Sequence, residues 1–196
     1  MAIQLRAPSK HTIPNAKPPT TTLAPPTSEW LSGQWQVTHS TLPMWKNKSD
    51  VRITYTPLLS TTSSSSGPPN LDDLVQYKKS PGPDAKDSSV HGVSRIAHVE
   101  GLTEGWAYNW RGKGLLAIAS SKWEVLGYGE EVGSWNKWAV TYFSKTPFTP
   151  AGIDVYSRGK GVDEPTSEGI KAAFAGMEDE GLRKLAGEIF EIEIPA

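Results

Sequence analysis

The chain has 196 residues, enough for one domain with a sizeable core, and a formal net charge of −1. This balanced charge argues against nucleic acid or an anionic membrane as the main partner, because both attract a clear basic excess. No run of about 18 apolar residues is present and no secretory signal is recognisable, so we expect neither membrane insertion nor export. The absence of cysteine excludes a disulfide scaffold and thiolate chemistry, and it favours the cytoplasm.

The beginning of the chain differs in composition from the rest. Residues 1–28 hold six prolines and many threonines, without hydrophobic periodicity. This composition predicts a disordered or extended arm, followed by one folded domain over residues 29–196. A second low-complexity stretch, rich in serine, predicts a loop at residues 60–70.

Residues 30–57 predict a hairpin of two strands. Apolar or aromatic side chains alternate with polar ones on both sides of a polar turn, which is typical of a sheet with one packed face. This alternation places an imidazole and a phenol among aliphatic groups, a mixture that indicates a lined cavity more than a purely structural core. The inward face is predicted to carry Trp35, Val37, His39, Thr41 and Tyr55.

Further strands follow in chain order. Alternation or strong strand composition predicts them at residues 71–79, 90–100, 105–110, 123–128, 135–145 and 153–158. The apolar run at residues 115–120 does not alternate, and it predicts one more strand that is buried on both faces.

After residue 158 the apolar spacing becomes helical. Thr166 or Ser167 suits the N-cap, and Gly176 and Gly181 interrupt the pattern, so two short helices or one bent helix are expected. The tail 190–194 alternates again and is compatible with a last strand.

The predicted elements indicate an all-β fold with about eight to ten short antiparallel strands and a C-terminal helical segment. Closing such a sheet into a barrel removes its edges, and a barrel of about eight strands has room for one small ligand. A β-sandwich is the alternative architecture.

Three motifs resemble those of the lipocalin and fatty-acid-binding (calycin) superfamily. Gly33-Gln34-Trp35 resembles its Gly-x-Trp motif, Thr141-Tyr142 a shortened Thr-Asp-Tyr motif, and Arg158 the arginine that packs across the first-strand tryptophan. The resemblance covers residues 29–190, and WRGKGLLAIASSKWEVLGYG and TYFSKTPFTPAGIDVYSR are similar to fungal lipocalin-like proteins. It implies a calycin barrel in which Arg158 contacts Trp35.

Candidate site residues come from the predicted inward faces. The eight tryptophans serve either as core filler or as aromatic walls for a ligand. Arg95 is able to pair with an anionic ligand head, unless the strand register is shifted by one residue and the side chain points outward. The predicted ligand-binding residues are Val37, His39, Thr41, Tyr55, Tyr77, Arg95, Trp106, Tyr108, Trp110, Trp123, Trp138 and Tyr142.

Two functions are compatible with these residues. The first is a barrel that binds a small hydrophobic or aromatic molecule. The alternative is a cofactor-independent enzyme of secondary-metabolite biosynthesis, an isomerase, cyclase (pericyclase) or dehydratase, with His39, Tyr55 and Tyr142 as acid–base residues. His39 is equally compatible with a purely structural role. Neither function needs a cofactor, and the four histidines show no metal-ligand spacing with a nearby carboxylate.

Overall fold

The computed structural model describes residues 2–17, 21–58, 67–80, 82 and 84–195. The Ser-rich stretch at 60–66 and residues 18–20 of the Pro/Thr-rich arm lie outside this part of the chain. The described residues form nine strands and three α-helices, in the following order. The elements are α1 (Ser28–Leu31), β1 (Gly33–Ser40), β2 (Ser49–Pro57), β3 (Leu71–Lys78), β4 (Asp87–Ile96), β5 (Ala107–Gly112), β6 (Ser120–Glu130), β7 (Lys137–Phe143), β8 (Gly152–Ser157), α2 (Glu164–Ala175), α3 (Glu180–Ala186) and β9 (Phe190–Glu191).

Strands β1 to β8 form a closed antiparallel barrel. Each strand pairs with the next one along the chain, and β1 also pairs with β8, which closes the ring. The closed barrel confirms the predicted fold class and excludes the sandwich. Because the strands run alternately up and down, four loops lie at one end, which we call the mouth. The mouth loops are residues 41–48, 79–86, 113–119 and 144–151.

The short strand β9 fills a gap in the barrel wall. Strands β1 and β2 are paired only from Gly33↔Tyr55 to Gln36↔Arg52, so they separate towards the mouth. There β9 pairs with β1 through His39↔Glu191, and the Asp50 N–H donates to the Glu193 carbonyl at 2.8 Å. The C-terminal tail therefore hydrogen-bonds the edges that β1 and β2 leave free.

Helices α2 and α3 cover the outer face of β6, β7 and β8, as two short helices rather than one. The N-cap of α2 is Asp163, whose carboxylate accepts a hydrogen bond from the Thr166 N–H, and α3 is capped in the same way by Asp179. The predicted caps Thr166 and Ser167 are wrong because the helix starts earlier, with a proline in its first turn, where a missing N–H costs nothing.

The described residues 2–17 of the arm have no strand or α-helix but lie against the barrel wall. Arg6 is 2% exposed, and its guanidinium pairs with the fully buried Glu124 carboxylate at 2.6 Å. The same carboxylate accepts hydrogen bonds from Ser9 and Thr12, and Arg6 lies 5.0 Å from the Trp106 ring centroid. Composition predicted a disordered or extended arm; in the structure this buried ion pair holds the arm against the barrel, and residues 10–15 form turns.

The apolar run at residues 115–120 is not the predicted buried strand. It forms a mouth loop that begins with a 3-10 turn at Gly114–Leu116, and Leu115 and Ile118 are 101% and 88% exposed. Part of this apolar run lines the cavity, where Leu116 and Ala119 form part of the wall. Hydrophobicity without alternation therefore did not indicate a strand here.

Candidate functional site

A cavity of about 300 Å³ lies inside the barrel and reaches its mouth. Its upper wall comes from three mouth loops, through residues that include Met44, Leu116 and Phe148. These side chains are partly or largely exposed, at 46%, 39% and 85% respectively. The entrance is therefore apolar and open to solvent, and the volume is at the lower end of the range that holds small ligands, about 300–1,000 Å³.

Aromatic rings form the inner wall. Trp123 stacks on Tyr55 with ring centroids 5.6 Å apart, and Phe143 lies 6.2 Å from the same indole. Trp110 and Tyr156 also line the cavity. Beneath this wall the barrel is filled by a cluster of buried side chains that includes Trp35.

Two aspartates line this otherwise apolar cavity, and each is held by one serine. Asp73 on β3 is 5% exposed, and its Oδ2 accepts a hydrogen bond of 2.9 Å from Ser94, which in turn accepts one from the Trp123 indole. Asp154 on β8 is 1% exposed, and its Oδ1 accepts a hydrogen bond from Ser40. In the described part of the chain, neither carboxyl has a cationic side chain within ion-pair distance.

Burial changes the protonation of these groups. Desolvation raises the pKa of Asp73 and of Asp154 to about 7, because the apolar surroundings disfavour the ionised carboxylate. The pKa of the Tyr156 hydroxyl rises well above its ordinary value through burial and then through the nearby charge of Asp154, with a smaller effect of Asp73. The charges of both aspartates therefore act on Tyr156, whereas neither carboxyl shifts the pKa of the other.

Three of the predicted ligand-binding residues line the cavity: Tyr55, Trp110 and Trp123. Val37, Trp106 and Tyr108 face the interior but belong to the filled core, where Tyr108 stacks on Trp123 at 4.4 Å. The remaining predicted residues lie elsewhere, and each deviation has a structural cause.

His39 does not face the cavity. A β-bulge between Val37 and His39 shifts the pairing of β1 with β8, so that the small side chain of Ser40 turns inward. His39 is half-buried on the outer side, opposite Glu191 of β9. Burial lowers the pKa of its imidazole, and Glu191 partly opposes this shift. The inward position was extrapolated from Trp35 and Val37, and a bulge reverses such an extrapolation.

Trp138 and Tyr142 lie on the outer face of β7, beneath the helices. Both belong to the cluster that contains Ile170 and Phe174 of α2. Every residue of β7 between its two ends is buried, because the barrel interior covers one face and α2 with α3 the other. Alternation defined two faces correctly but did not show which one was inward, so Tyr142 is not available as a cavity acid or base.

Three other predicted residues also lie outside the cavity wall. Arg95 is exposed on the outer face of β4, which corresponds to the register shifted by one, with Ser94 inward. Thr41 is buried, and its hydroxyl accepts a hydrogen bond from the Ile153 N–H. Tyr77 packs edge-on against Trp45.

Sequence reasoning missed Asp73, Asp154, Tyr156 and Trp45 as cavity residues. A signal for the aspartates was present: Asp73 alternates with Leu71 and Val75, and Asp154 lies within an apolar strand. A carboxyl on an apolar face is seldom accidental, because a buried charge is costly. Trp45 had no signal, since it lies in the loop between β1 and β2.

The remaining features concern metals and membranes. Within the described ranges, no group of three or more His, Asp or Glu side chains is placed to hold a metal ion. None of the helices found there combines the length and the apolar character that crossing a bilayer requires.

Comparison with solved structures identifies the fold. H1 crustacyanin from the lobster Homarus americanus is 12% identical, with a TM-score of 0.55 over 100% of this chain and 91% of that chain. The tryptamine complex of the amine-binding protein of Rhodnius prolixus is 15% identical, with a TM-score of 0.52 over 88% and 84%. The siderocalin Ex-FABP is 13% identical, with a TM-score of 0.50 over 85% and 95%.

Sequence comparisons add no further relative: no family model matches the chain, and no curated protein does. At these identities, the likeness to solved structures shows the fold and leaves the ligand open. The similar structures are lipocalin or calycin members, and the closed eight-stranded antiparallel barrel of this chain agrees with that fold. The chain therefore has the lipocalin (calycin) fold.

Proposed function

We propose that this barrel binds one small hydrophobic or aromatic molecule in its cavity. The observation that carries the proposal is the cavity of about 300 Å³, which opens between apolar mouth loops and is walled by Tyr55, Trp110, Trp123 and Phe143. Burial of apolar surface against such walls stabilises a complex by about 25 cal/mol per Å² before the costs of association.

Two similar structures, both described by the ligands they bind, support the proposal. One is the tryptamine complex of an amine-binding protein, and the other is a siderocalin with dual ligand specificities. Both resemble this chain in fold, and the barrel interior is the place where a fold of eight strands holds one small ligand.

The binding proposal is tested by filling the cavity. Val90 lines it, whereas Val93, three residues further along β4, lies on the opposite face of the strand. We expect Val90→Trp to weaken the binding of the uncharged fluorescent probe N-phenyl-1-naphthylamine at least tenfold, and Val93→Trp to leave its dissociation constant unchanged. Equal effects of the two variants, or no saturable binding by the wild type, would refute binding inside the barrel.

A second candidate function is acid–base catalysis without a cofactor, on a metabolite held in the same cavity. The observation that favours it is the pair of buried carboxyls with pKa values of about 7, because a catalytic acid or base works best when its pKa is near the working pH. This candidate keeps the proposed reaction classes, isomerase, cyclase (pericyclase) or dehydratase of secondary metabolism, and replaces His39 and Tyr142 with Asp73 and Asp154. A cytoplasmic location remains part of the proposal and rests on the lack of cysteine.

The catalytic candidate is tested with the metabolite extract of a host strain that lacks this gene. A compound converted by the wild-type protein and not by Asp73→Asn or Asp154→Asn would favour catalysis. A compound that co-purifies with the protein and is recovered unchanged would favour binding alone.

A further inference from the structure

The polar region of the cavity has more hydrogen-bonding capacity than the protein uses. Five buried side-chain polar atoms of the described residues have no hydrogen-bond partner, and three of them belong to cavity residues. These three atoms are Asp73 Oδ1, Tyr156 Oη and Trp45 Nε1. Tyr156 lies near the side chains of Thr141 and Tyr55, and Trp45 lies near the Asp154 carboxyl, so Asp73 Oδ1 is the atom left without a polar neighbour. A buried polar atom without a partner is uncommon in folded proteins, because it gives up its hydrogen bonds to water without replacement. Because Asp73 lines the open cavity, a ligand is able to supply the missing partner.

The charge of this region has a definite sign. Each carboxyl in the cavity has one serine donor and no cationic partner in the described residues. Buried carboxylates in proteins are normally paired with a cation, since an isolated one is strongly disfavoured. The groups that face Asp73 and Asp154 are hydroxyls and an indole, while the charges of Asp72 and His91 act on Asp73 from the outer side of the sheet. The interior therefore lacks a positive charge that matches its acids.

From this arrangement we infer the class of ligand. We propose that the cavity recognises a small hydrophobic or aromatic amine, whose protonated nitrogen is held by the carboxyl of Asp73 while its ring lies against Trp123 and Tyr55. The inference rests on the proposed binding function and makes it more specific.

The amine changes the proton balance of the site. A protonated carboxyl releases its proton when the cation binds, so that a carboxylate faces an ammonium group and net charge is conserved. Affinity for an amine is therefore expected to be highest at pH 8, where the Asp73 carboxyl is already ionised, and to fall by up to about tenfold per pH unit below pH 7. A neutral ligand of the same shape lacks this dependence.

Three probes with one ring separate charge from shape. They are 2-(1-naphthyl)ethylamine, 2-(1-naphthyl)ethanol and 1-naphthaleneacetate, which are cationic, neutral and anionic near neutral pH. We expect the amine to bind at least tenfold more tightly than the alcohol at pH 8, and the acetate to bind most weakly. Titration calorimetry in two buffers of different ionisation enthalpy should show proton release at pH 6 for the amine only.

Variants provide the second measurement. Asp73→Asn keeps the shape of the side chain. It should raise the dissociation constant of the amine at least tenfold and keep that of the alcohol within about threefold of the wild-type value. Asp72→Asn changes the adjacent residue on the outer face and should change neither dissociation constant. An alcohol that binds as tightly as the amine would overturn this inference and leave the proposed binding function intact. Failure of the amine to bind while N-phenyl-1-naphthylamine still binds would also overturn this inference alone, whereas failure of both would overturn the binding function as well.

Discussion

The guanidinium of Arg158 lies 3.7 Å from the centroid of the Trp35 ring, across the end of the barrel opposite the mouth. The same guanidinium donates hydrogen bonds to the carbonyls of Trp30, Ser32 and Gln34, which hold the chain between α1 and β1 in place. Trp35 in turn is fully buried and donates from its indole to the Leu31 carbonyl at 2.7 Å. Arg158 thus ties the end of β8 to the start of β1, and the contact predicted from the resemblance is confirmed.

Replacing Arg158 with alanine should destabilise the fold without removing the cavity. The change removes a cation–π contact worth about 0.5–2 kcal/mol and leaves three carbonyls without their charged donor, so we expect a total loss of about 3 kcal/mol. Chemical denaturation measures this loss, and binding of N-phenyl-1-naphthylamine should persist below the transition. Arg95→Ala, which removes an exposed arginine from the outer face of β4, is the matched control and should leave the midpoint unchanged. Equal midpoints for the two variants would contradict the closing role of Arg158.

Arg6→Met should reveal how strongly the arm is held. Removing the guanidinium leaves the Glu124 carboxylate buried without its cation, and breaking a buried ion pair in this way costs about 3–5 kcal/mol. Adding Glu124→Gln to Arg6→Met removes the orphaned charge and should restore part of the loss. Lys10→Met serves as the control on the same arm, because Lys10 pairs with Glu100 in solvent, and should not change the unfolding midpoint measurably. An Arg6→Met protein as stable as the wild type would show that residues 2–17 detach without cost.

The two cavity carboxyls should make stability depend on pH with a definite sign. Their folded pKa of about 7 lies above the value of 3.8 expected for an exposed aspartate, so the folded state holds more protons between these values. Stability is then expected to fall as the pH rises from about 4 to 7, by an amount on the order of a few kcal/mol, and to remain lower above pH 7. Asp73→Asn should flatten this slope and raise stability at pH 8, measured by denaturation at several pH values.

The adjacent Asp72 should make stability depend on pH with the opposite sign. Desolvation raises the pKa of Asp72, but the hydrogen bonds and charges of Lys113 and His91 together outweigh it and lower this pKa. The contribution of Asp72 to stability is therefore gained, not lost, as the pH rises through the acid range. Asp72→Asn should therefore lower stability above about pH 4 and leave the slope between about pH 5 and 7 as in the wild type. A parallel response of the Asp72 and Asp73 variants would contradict the inward placement of Asp73.

His39→Gln is expected to leave ligand binding unchanged, because the bulge in β1 turns the imidazole to the outer side beside Glu191. The dissociation constant of N-phenyl-1-naphthylamine should stay within about twofold of the wild-type value, the range expected for a residue that does not touch the ligand. Any turnover found with the host extract should also persist. A tenfold loss of affinity or turnover in this variant would show that His39 contacts the ligand in the cavity.

The strands and the fold were largely predictable from sequence, for a local reason. Alternation of side chains depends on neighbours two residues apart, so β1 to β8 could be recognised within a few residues of their ends, as could the change to helical spacing after residue 158. The pairing of Trp35 with Arg158 was predictable because a short motif and one arginine implied it. None of this needed knowledge of contacts across the barrel.

The cavity was decided by tertiary structure. Alternation defines two faces of a strand but does not distinguish them when both are buried. Because α2 and α3 cover the outer side of β7, Trp138 and Tyr142 lie beneath helices, while Phe143 faces the cavity. One extra residue at the β1 bulge exchanged His39 for Ser40 on the inner face. The chain by itself determined a barrel with aromatic and charged residues on its strands. Only closure of the sheet, the bulge and the covering helices decided which of those residues meet inside.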